Sequence, residues 1–156
     1  MDIVICYDGT SPAKAAINMG IQMCRVFNAK AHIVMSVNIE DSQNEKYEFI
    51  ENELSKEQKI LTHAELVLKE AAKYMTEAQI PCKTHLLNRG LTPGEDFVSF
   101  AKEINAGYIV IGVRQRSKVG KLLTGSTAQH TILKAHCPVL TIPPKAQTNI
   151  KEAFAT

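Results

Sequence analysis

Two apolar runs enclose a basic loop and a helix in the stretch IVIGVRQRSKVGKLLTGSTAQHTILKAHCPVLTIP, from Ile109 to Pro143. The first run, together with Tyr108, has no polar alternation and ends at Gly112. The second extends from Cys137 to Ile142. Strands of a parallel sheet are covered on both faces, so continuous apolar runs of this kind predict two such strands joined through a helix.

The segment between the two runs has the composition of an anion-binding site. Residues 113–124 contain no acid and four basic side chains: Arg114, Arg116, Lys118 and Lys121. Gly125 and Ser126 then open a helix that is predicted to extend to about Ala135, with Ser126 as N-cap and Gln129 completing a capping box. Positive charge and free backbone amides at a helix N-terminus attract anions, so this loop is a candidate phosphate site.

These residues resemble the glycine motif of the universal stress protein family, whose nucleotide-binding members carry G-x2-G-x9-G-[S/T]. Gly112 fits the first position, and Gly125 and Ser126 fit the last two at the right spacing. Gln115 stands where the family has its middle glycine. A side chain there places bulk where a phosphate would approach and costs on the order of 1 kcal/mol if the backbone has positive φ.

The resemblance extends over nearly the whole chain. Residues 136–143, HCPVLTIP, are similar to the family's closing strand, and Asp8-Gly9-Thr10 is similar to the end of its first strand. Apolar and helical patterns alternate as strand and helix four times before a last strand, which predicts a doubly wound parallel sheet. The resemblance implies the Rossmann-like, adenine nucleotide alpha hydrolase-like α/β fold, five-stranded with order 3-2-1-4-5. One domain is expected over residues 1–145, followed by a polar tail over residues 146–156.

The other elements follow from short local signals. Apolar runs predict three further strands: Asp2–Tyr7, His32–Val37 and Pro81–Leu87, the last near a sheet edge. The first helix is expected to have Ser11 as N-cap and to end near Asn28. A long helical pattern over residues 46–78 is expected to break near residues 52–55. Thr92 and Glu95 predict a capping box for the next helix.

This topology brings two loops together. In doubly wound sheets, ligands bind beyond the carboxyl ends of the strands where the winding reverses. With order 3-2-1-4-5 that point lies between strands one and four, which places residues 8–11 beside residues 112–115. The family resemblance implies a nucleotide site at this point, formed by Tyr7, Asp8, Gly9, Val37, Ile111, Gly112, Arg114, Gln115, Arg116, Ser117, Gly125, Ser126 and Thr127.

The roles implied for these residues are those of an ATP or AMP site. Tyr7, Asp8 and Val37 are expected to line adenine and ribose, and the backbone near Gly112 to meet ribose and phosphates. Asp8 can accept from ribose hydroxyls or hold Mg²⁺ beside the phosphates. Ser126 can donate its hydroxyl and amide to a phosphate. In the simpler alternatives, Asp8 only caps its turn and Ser126 only caps its helix.

Three functions stay open at this point. The first is an adenine-nucleotide-binding regulatory protein of the stress response, favoured by Asp8, Gly112 and Gly125. The second is a dimeric interaction module that binds no nucleotide, favoured by Gln115. A weak ATPase is the least favoured, because the motifs GxSxG and GxxxxGK[ST] are absent and no catalytic residue is assigned. In both main cases the apolar strand Val139–Ile142 is expected to pair two copies at a sheet edge.

The composition limits which partners and which cellular compartment we expect for this protein. A net charge of +2 gives no reason to expect a nucleic-acid partner. No apolar run approaches membrane-spanning length, so no membrane association is expected. The opening MDIVICYDGT lacks the basic segment of a signal peptide. Four cysteines without CxxC spacing predict reduced thiols and a cytoplasmic location: Cys6, Cys24, Cys82 and Cys137.

Overall fold

The computed structural model describes residues 1–39, 55–114 and 125–143. Within these residues, strands and helices alternate strictly along the chain. They are β1 (Asp2–Cys6), α1 (Ser11–Phe27), β2 (Lys30–Ser36), α2 (Lys56–Glu77), β3 (Cys82–Leu87), α3 (Pro93–Glu103), β4 (Tyr108–Gly112), α4 (Ser126–Lys134) and β5 (Val139–Ile142).

The strands form one parallel sheet with the order β3-β2-β1-β4-β5, which confirms the predicted topology. Strand β3 is at one edge, as its alternating sequence predicts, and β5 is at the other. The winding reverses between β1 and β4, because β1 pairs with β2 on one side and with β4 on the other. The carboxyl ends of β1 and β4 are therefore neighbours, as the candidate site requires.

Helices cover both faces of the sheet. Helices α1 and α2 pack over one set of alternating strand residues, which includes Ile3, Ile5 and Ile33. Helices α3 and α4 pack over the other set, which includes Val4 and Val34. Both faces are buried, which explains the continuous apolar runs. No helix among the described residues is long and apolar enough to cross a membrane.

Two helix starts differ from their predictions by one residue. Helix α1 is preceded by Thr10 in extended conformation, so Ser11 is its first helical residue rather than its N-cap. Asp8 holds Thr10 in place by accepting from its backbone amide and hydroxyl. In α4, Gly125 takes the extended N-cap conformation and Ser126 is already helical. The capping box predicted for Ser126 is therefore wrong.

Other predictions of where helices begin and end are confirmed. Asn28 ends α1 in the left-handed conformation, with φ 49°. Thr92 and Glu95 form their capping box at the start of α3. Ser55 caps α2, so the second half of the long helical pattern is helical from Lys56. The first half of that pattern, up to residue 54, lies outside the described residues, as does the predicted tail over residues 146–156.

Candidate functional site

A cleft opens at the carboxyl ends of β1, β2 and β4, where the first turns of α1, α3 and α4 converge. Its inner part is a cavity of about 140 Å³ with a largely apolar wall that includes Tyr7, Pro12, Phe97 and Ile111. A second cavity of about 260 Å³ lies at the N-terminus of α4. The two adjoin each other, since four residues line both: Asp8, Gly112, Arg114 and Thr127.

Asp8 lies where the two cavities join. Its Oδ1 accepts from the Thr10 amide at 3.0 Å and from the Thr10 hydroxyl at 2.5 Å. Its Oδ2 is 3.6 Å from Nη2 of Arg114, and both side chains are about half exposed. The carboxylate therefore caps its own turn and still presents one oxygen to the cleft. Arg114, in turn, supplies positive charge at the edge of both cavities.

Close contact between β4 and α1 brings the two loops together. A Cβ atom on Gly112 would lie only 2.0 Å from the carbonyl oxygen of Pro12. Only glycine permits this approach, which packs the end of β4 directly against the first turn of α1. Gly9 has φ +79°, a conformation that side chains rarely adopt, and it turns the chain from β1 towards that helix.

The start of α4 forms the wall of the outer cavity. Gly125 has open space around it, since a Cβ there would meet nothing within 4 Å. The side chain of Ser126 is exposed and makes no cap hydrogen bond. Ser126 and Thr127 line this cavity, and the first amides of a helix have no intrahelical acceptors, so these two amides are available to a ligand. The alternative in which Ser126 merely caps its own helix is thereby removed.

Tyr7 and Val37 contribute less directly than the resemblance implies. The Tyr7 side chain is 1% exposed and belongs to the core under α1 and α2, although Tyr7 also borders the inner cavity. Burial raises the pKa of Tyr7 to about 12, with smaller contributions from Glu70, Tyr74 and Asp8. The Val37 amide donates to the Leu87 carbonyl at 2.8 Å. This amide is therefore not available to a ligand.

One polar residue of the inner cavity, and the acid that it contacts, were not predicted from the sequence. Ser36, the last residue of β2, lines the cavity and donates to Oδ2 of Asp96 at 2.5 Å. Asp96 lies on α3 and is fully buried. Asp96 occupies an apolar position of α3, four residues before Phe100. This irregularity is the one local signal in the sequence that could have indicated a buried acid.

Three of the predicted site residues, Gln115, Arg116 and Ser117, lie outside the described residues. The other ten all lie at the carboxyl edge of the sheet or on the adjoining turns: Tyr7, Asp8, Gly9, Val37, Ile111, Gly112, Arg114, Gly125, Ser126 and Thr127. Within the described part of the chain, no group of three or more His, Cys, Asp or Glu side chains is arranged to hold a metal ion. A cation at Asp8 would thus depend on oxygen ligands from a bound molecule.

This fold agrees with a match to a known family. The family model described as "Universal stress protein family" matches residues 1–143. The chain belongs to the universal stress protein family. A universal stress protein of Thermus aquaticus is 31% identical over 141 residues, covering 90% of this chain and 96% of the relative.

Solved structures of universal stress proteins superpose on most of the chain. One from Archaeoglobus fulgidus has a TM-score of 0.74 at 31% identity and covers 91% of this chain and 98% of its own. Another structure of an A. fulgidus universal stress protein, in complex with dAMP, has a TM-score of 0.69 at 27% identity and covers 91% and 97%. The Rossmann-like α/β fold is thus shared with relatives along nearly their entire length.

Proposed function

We propose that this universal stress protein is an adenine-nucleotide-binding regulatory protein of the stress response. The adjacency of a largely apolar inner cavity and a polar outer cavity carries the proposal. A nucleotide has the same division, with a flat apolar base at one end and phosphates at the other. The A. fulgidus relative crystallised with dAMP supports an adenine ligand.

Each part of the cleft has a role in this proposal. The base enters the inner cavity beside Phe97 and Ile111. Asp8 accepts from the ribose hydroxyls with the oxygen that faces the cleft. The phosphates bind the amides of Ser126 and Thr127 at the start of α4, where the helix dipole favours negative charge.

The ligand is AMP or ATP, and Mg²⁺ fits the site only together with phosphates. Magnesium is commonly held by one or two carboxylates plus phosphate oxygens and water, and Asp8 would supply the one carboxylate in place of its contact with the ribose. The ion would neutralise phosphate charge, while Arg114 supplies a second positive charge nearby. The protein acts as one domain over residues 1–145 in the cytoplasm, where its four cysteines, which are free, stay reduced.

Calorimetry with nucleotide-stripped protein tests this function. Saturable binding of AMP or ATP is expected, and Gly125→Val should abolish it by filling the space beside the phosphates. This variant should fold, because a Cβ at Gly125 meets nothing within 4 Å and the backbone φ is −57°. Gln129→Ala, on the same helix but outside the cavity lining, is the matched control and should bind normally. A folded protein that binds neither nucleotide contradicts the proposal.

A specific surface favours the second candidate function, a dimeric interaction module. Strand β5 is an edge strand, and Leu140 on it is exposed. Ile132 and Leu133 on the adjacent α4 are 45% and 71% exposed. We propose that Val139–Ile142 pairs two copies, which covers this edge. Light scattering should give a dimer, and Leu140→Lys should give a monomer; a dimer without nucleotide affinity would favour this second function.

A further inference from the structure

The Ser36 hydroxyl faces the inner cavity, and Asp96 fixes whether it acts there as a hydrogen-bond donor or acceptor. Asp96 is fully buried, and a carboxylate offers only acceptors. The Ser36 hydroxyl donates to Oδ2 of Asp96 at 2.5 Å. The single proton of Ser36 is therefore used, and the group it turns towards the cavity is a pair of oxygen lone pairs.

The bond from Ser36 is the one hydrogen bond that the Asp96 side chain makes among the described residues. Its second oxygen, Oδ1, is buried and has no hydrogen-bond partner among the described residues. A buried acceptor without a partner costs free energy, so the one bond that Asp96 makes is not easily given up. Asp96 does not line the cavity and acts through Ser36, which makes it a positioning residue.

The position of Ser36 in the sheet places it at the end of the cleft that is opposite to the phosphate end. It ends β2, whereas the phosphate end of the cleft lies after β4, two strands away across β1. Neighbouring strands are about 4.8 Å apart, so Ser36 lies roughly 10 Å from that end, which is comparable to the length of a mononucleotide. Consistent with this, Ser36 lines the inner cavity and not the outer one.

We infer that the Ser36 hydroxyl, held as an acceptor by Asp96, receives a hydrogen bond from the exocyclic amino group of a 6-aminopurine and selects it against 6-oxopurines. This inference rests on the proposed function and adds the specificity of the site. An amino group donates to the Ser36 lone pairs. A 6-oxo group would place its own lone pairs against them, leaving both without a hydrogen-bond donor.

Binding of AMP and of IMP, measured by calorimetry, tests the inference. The wild-type protein should prefer AMP by roughly tenfold or more, the effect of one hydrogen bond made or lost. Ser36→Ala should lose most of that preference, through weaker AMP binding. Ser36→Thr keeps a hydroxyl and should keep the preference.

Asp96→Asn separates a positioning role from a merely structural one. The amide can donate to Ser36, which releases the Ser36 proton towards the cavity, so the ratio of AMP to IMP affinity should fall towards one while IMP binding improves. A structural defect would weaken both nucleotides together. A wild-type preference retained in Ser36→Ala overturns the inference while leaving nucleotide binding intact; absence of binding to either nucleotide in the wild type overturns the proposed function as well.

Discussion

The imidazole rings of His32 and His85 share a hydrogen bond, with 2.9 Å between Nδ1 of His32 and Nε2 of His85. Nε2 of His32 is 2.8 Å from Oδ1 of Asp2. The three side chains thus form a polar chain across β1, β2 and β3, with the ring of Phe100 packed against both histidines. One proton between the two ring nitrogens is enough for this hydrogen bond. Two positively charged rings would repel each other at this distance.

This pair predicts acid sensitivity of the fold. Burial lowers the pKa of His85 from its ordinary value of 6.5, and the neighbouring charges of His32 and Lys83 lower it further. Below pH 6.5 the unfolded state therefore binds a proton that the folded state does not, so stability falls as the pH falls from 6.5 towards the folded-state pKa. Above pH 6.5 this contribution is constant.

Urea unfolding between about pH 7 and pH 5 measures this effect. His85→Gln should flatten the decline in the free energy of unfolding, because the titrating group is gone and an amide can still bond to His32. His136→Gln removes an exposed histidine and is the matched control, which should follow the wild-type curve. Identical curves for all three proteins would show that His85 does not titrate as expected.

Patterns local in sequence predicted most of the fold. The runs at β1, β4 and β5 are apolar because both faces of the sheet are covered. Such runs can be recognised without knowing which strands lie next to each other. The strand order came from the family resemblance, since periodicity carries no information on which strands pair. The misplaced N-caps at Ser11 and Ser126 have a different cause: the preceding residue took the extended cap conformation in each case.

The candidate site was predicted in outline, but the pair of Ser36 and Asp96 beside its inner cavity was not. Asp8, Gly112 and Gly125 follow recognisable motifs, so their positions could be inferred. Ser36 and Asp96 are 60 residues apart, and His32 and His85 are 53 apart. Contacts of this kind depend on how β2, β3 and α3 pack, and no spacing within one element encodes them.

Gly112 should be intolerant of any side chain. A Cβ there would lie 2.0 Å from the Pro12 carbonyl oxygen, which is backbone and cannot rotate away. Gly112→Ala should lower the free energy of unfolding by about 1–3 kcal/mol, the usual cost of overpacking. Gly125→Ala, in open space, should lose less than about 1 kcal/mol, the preference for glycine over alanine at an N-cap. Equal stability of the two variants in thermal unfolding would contradict the contact.

The capping box of α3 should stabilise the wall of the inner cavity. The Thr92 hydroxyl accepts from the Glu95 amide, and the Glu95 carboxylate accepts from the Thr92 amide. Thr92→Ala should cost about 1 kcal/mol in urea unfolding, whereas Thr92→Ser should cost little because it keeps the accepting oxygen. Pro93 and Phe97 in the first turns of α3 line the cavity, so AMP affinity should fall with Thr92→Ala. A loss of stability equal in both variants would mean that the hydroxyl is not the cap.

Arg114 should contribute to phosphate binding rather than to base binding. Its guanidinium is 3.6 Å from Asp8, half exposed, and lines both cavities. Arg114→Ala should weaken ATP binding by about tenfold, the scale of one charge-assisted contact, and leave adenosine binding nearly unchanged. Added salt should weaken ATP binding to the wild type more than to the variant, because salt screens an exposed charge.

Arg25→Ala provides the control for net charge. It removes the same charge from the far end of α1, where Arg25 donates to the Ala78 carbonyl, and ATP affinity should stay close to that of the wild type. Arg114→Lys should fall between wild type and alanine, since an ammonium keeps the charge but not the planar, bidentate geometry. Equal losses for ATP and adenosine in Arg114→Ala would place Arg114 beside the ribose or base and would require the phosphates to be held by α4 alone.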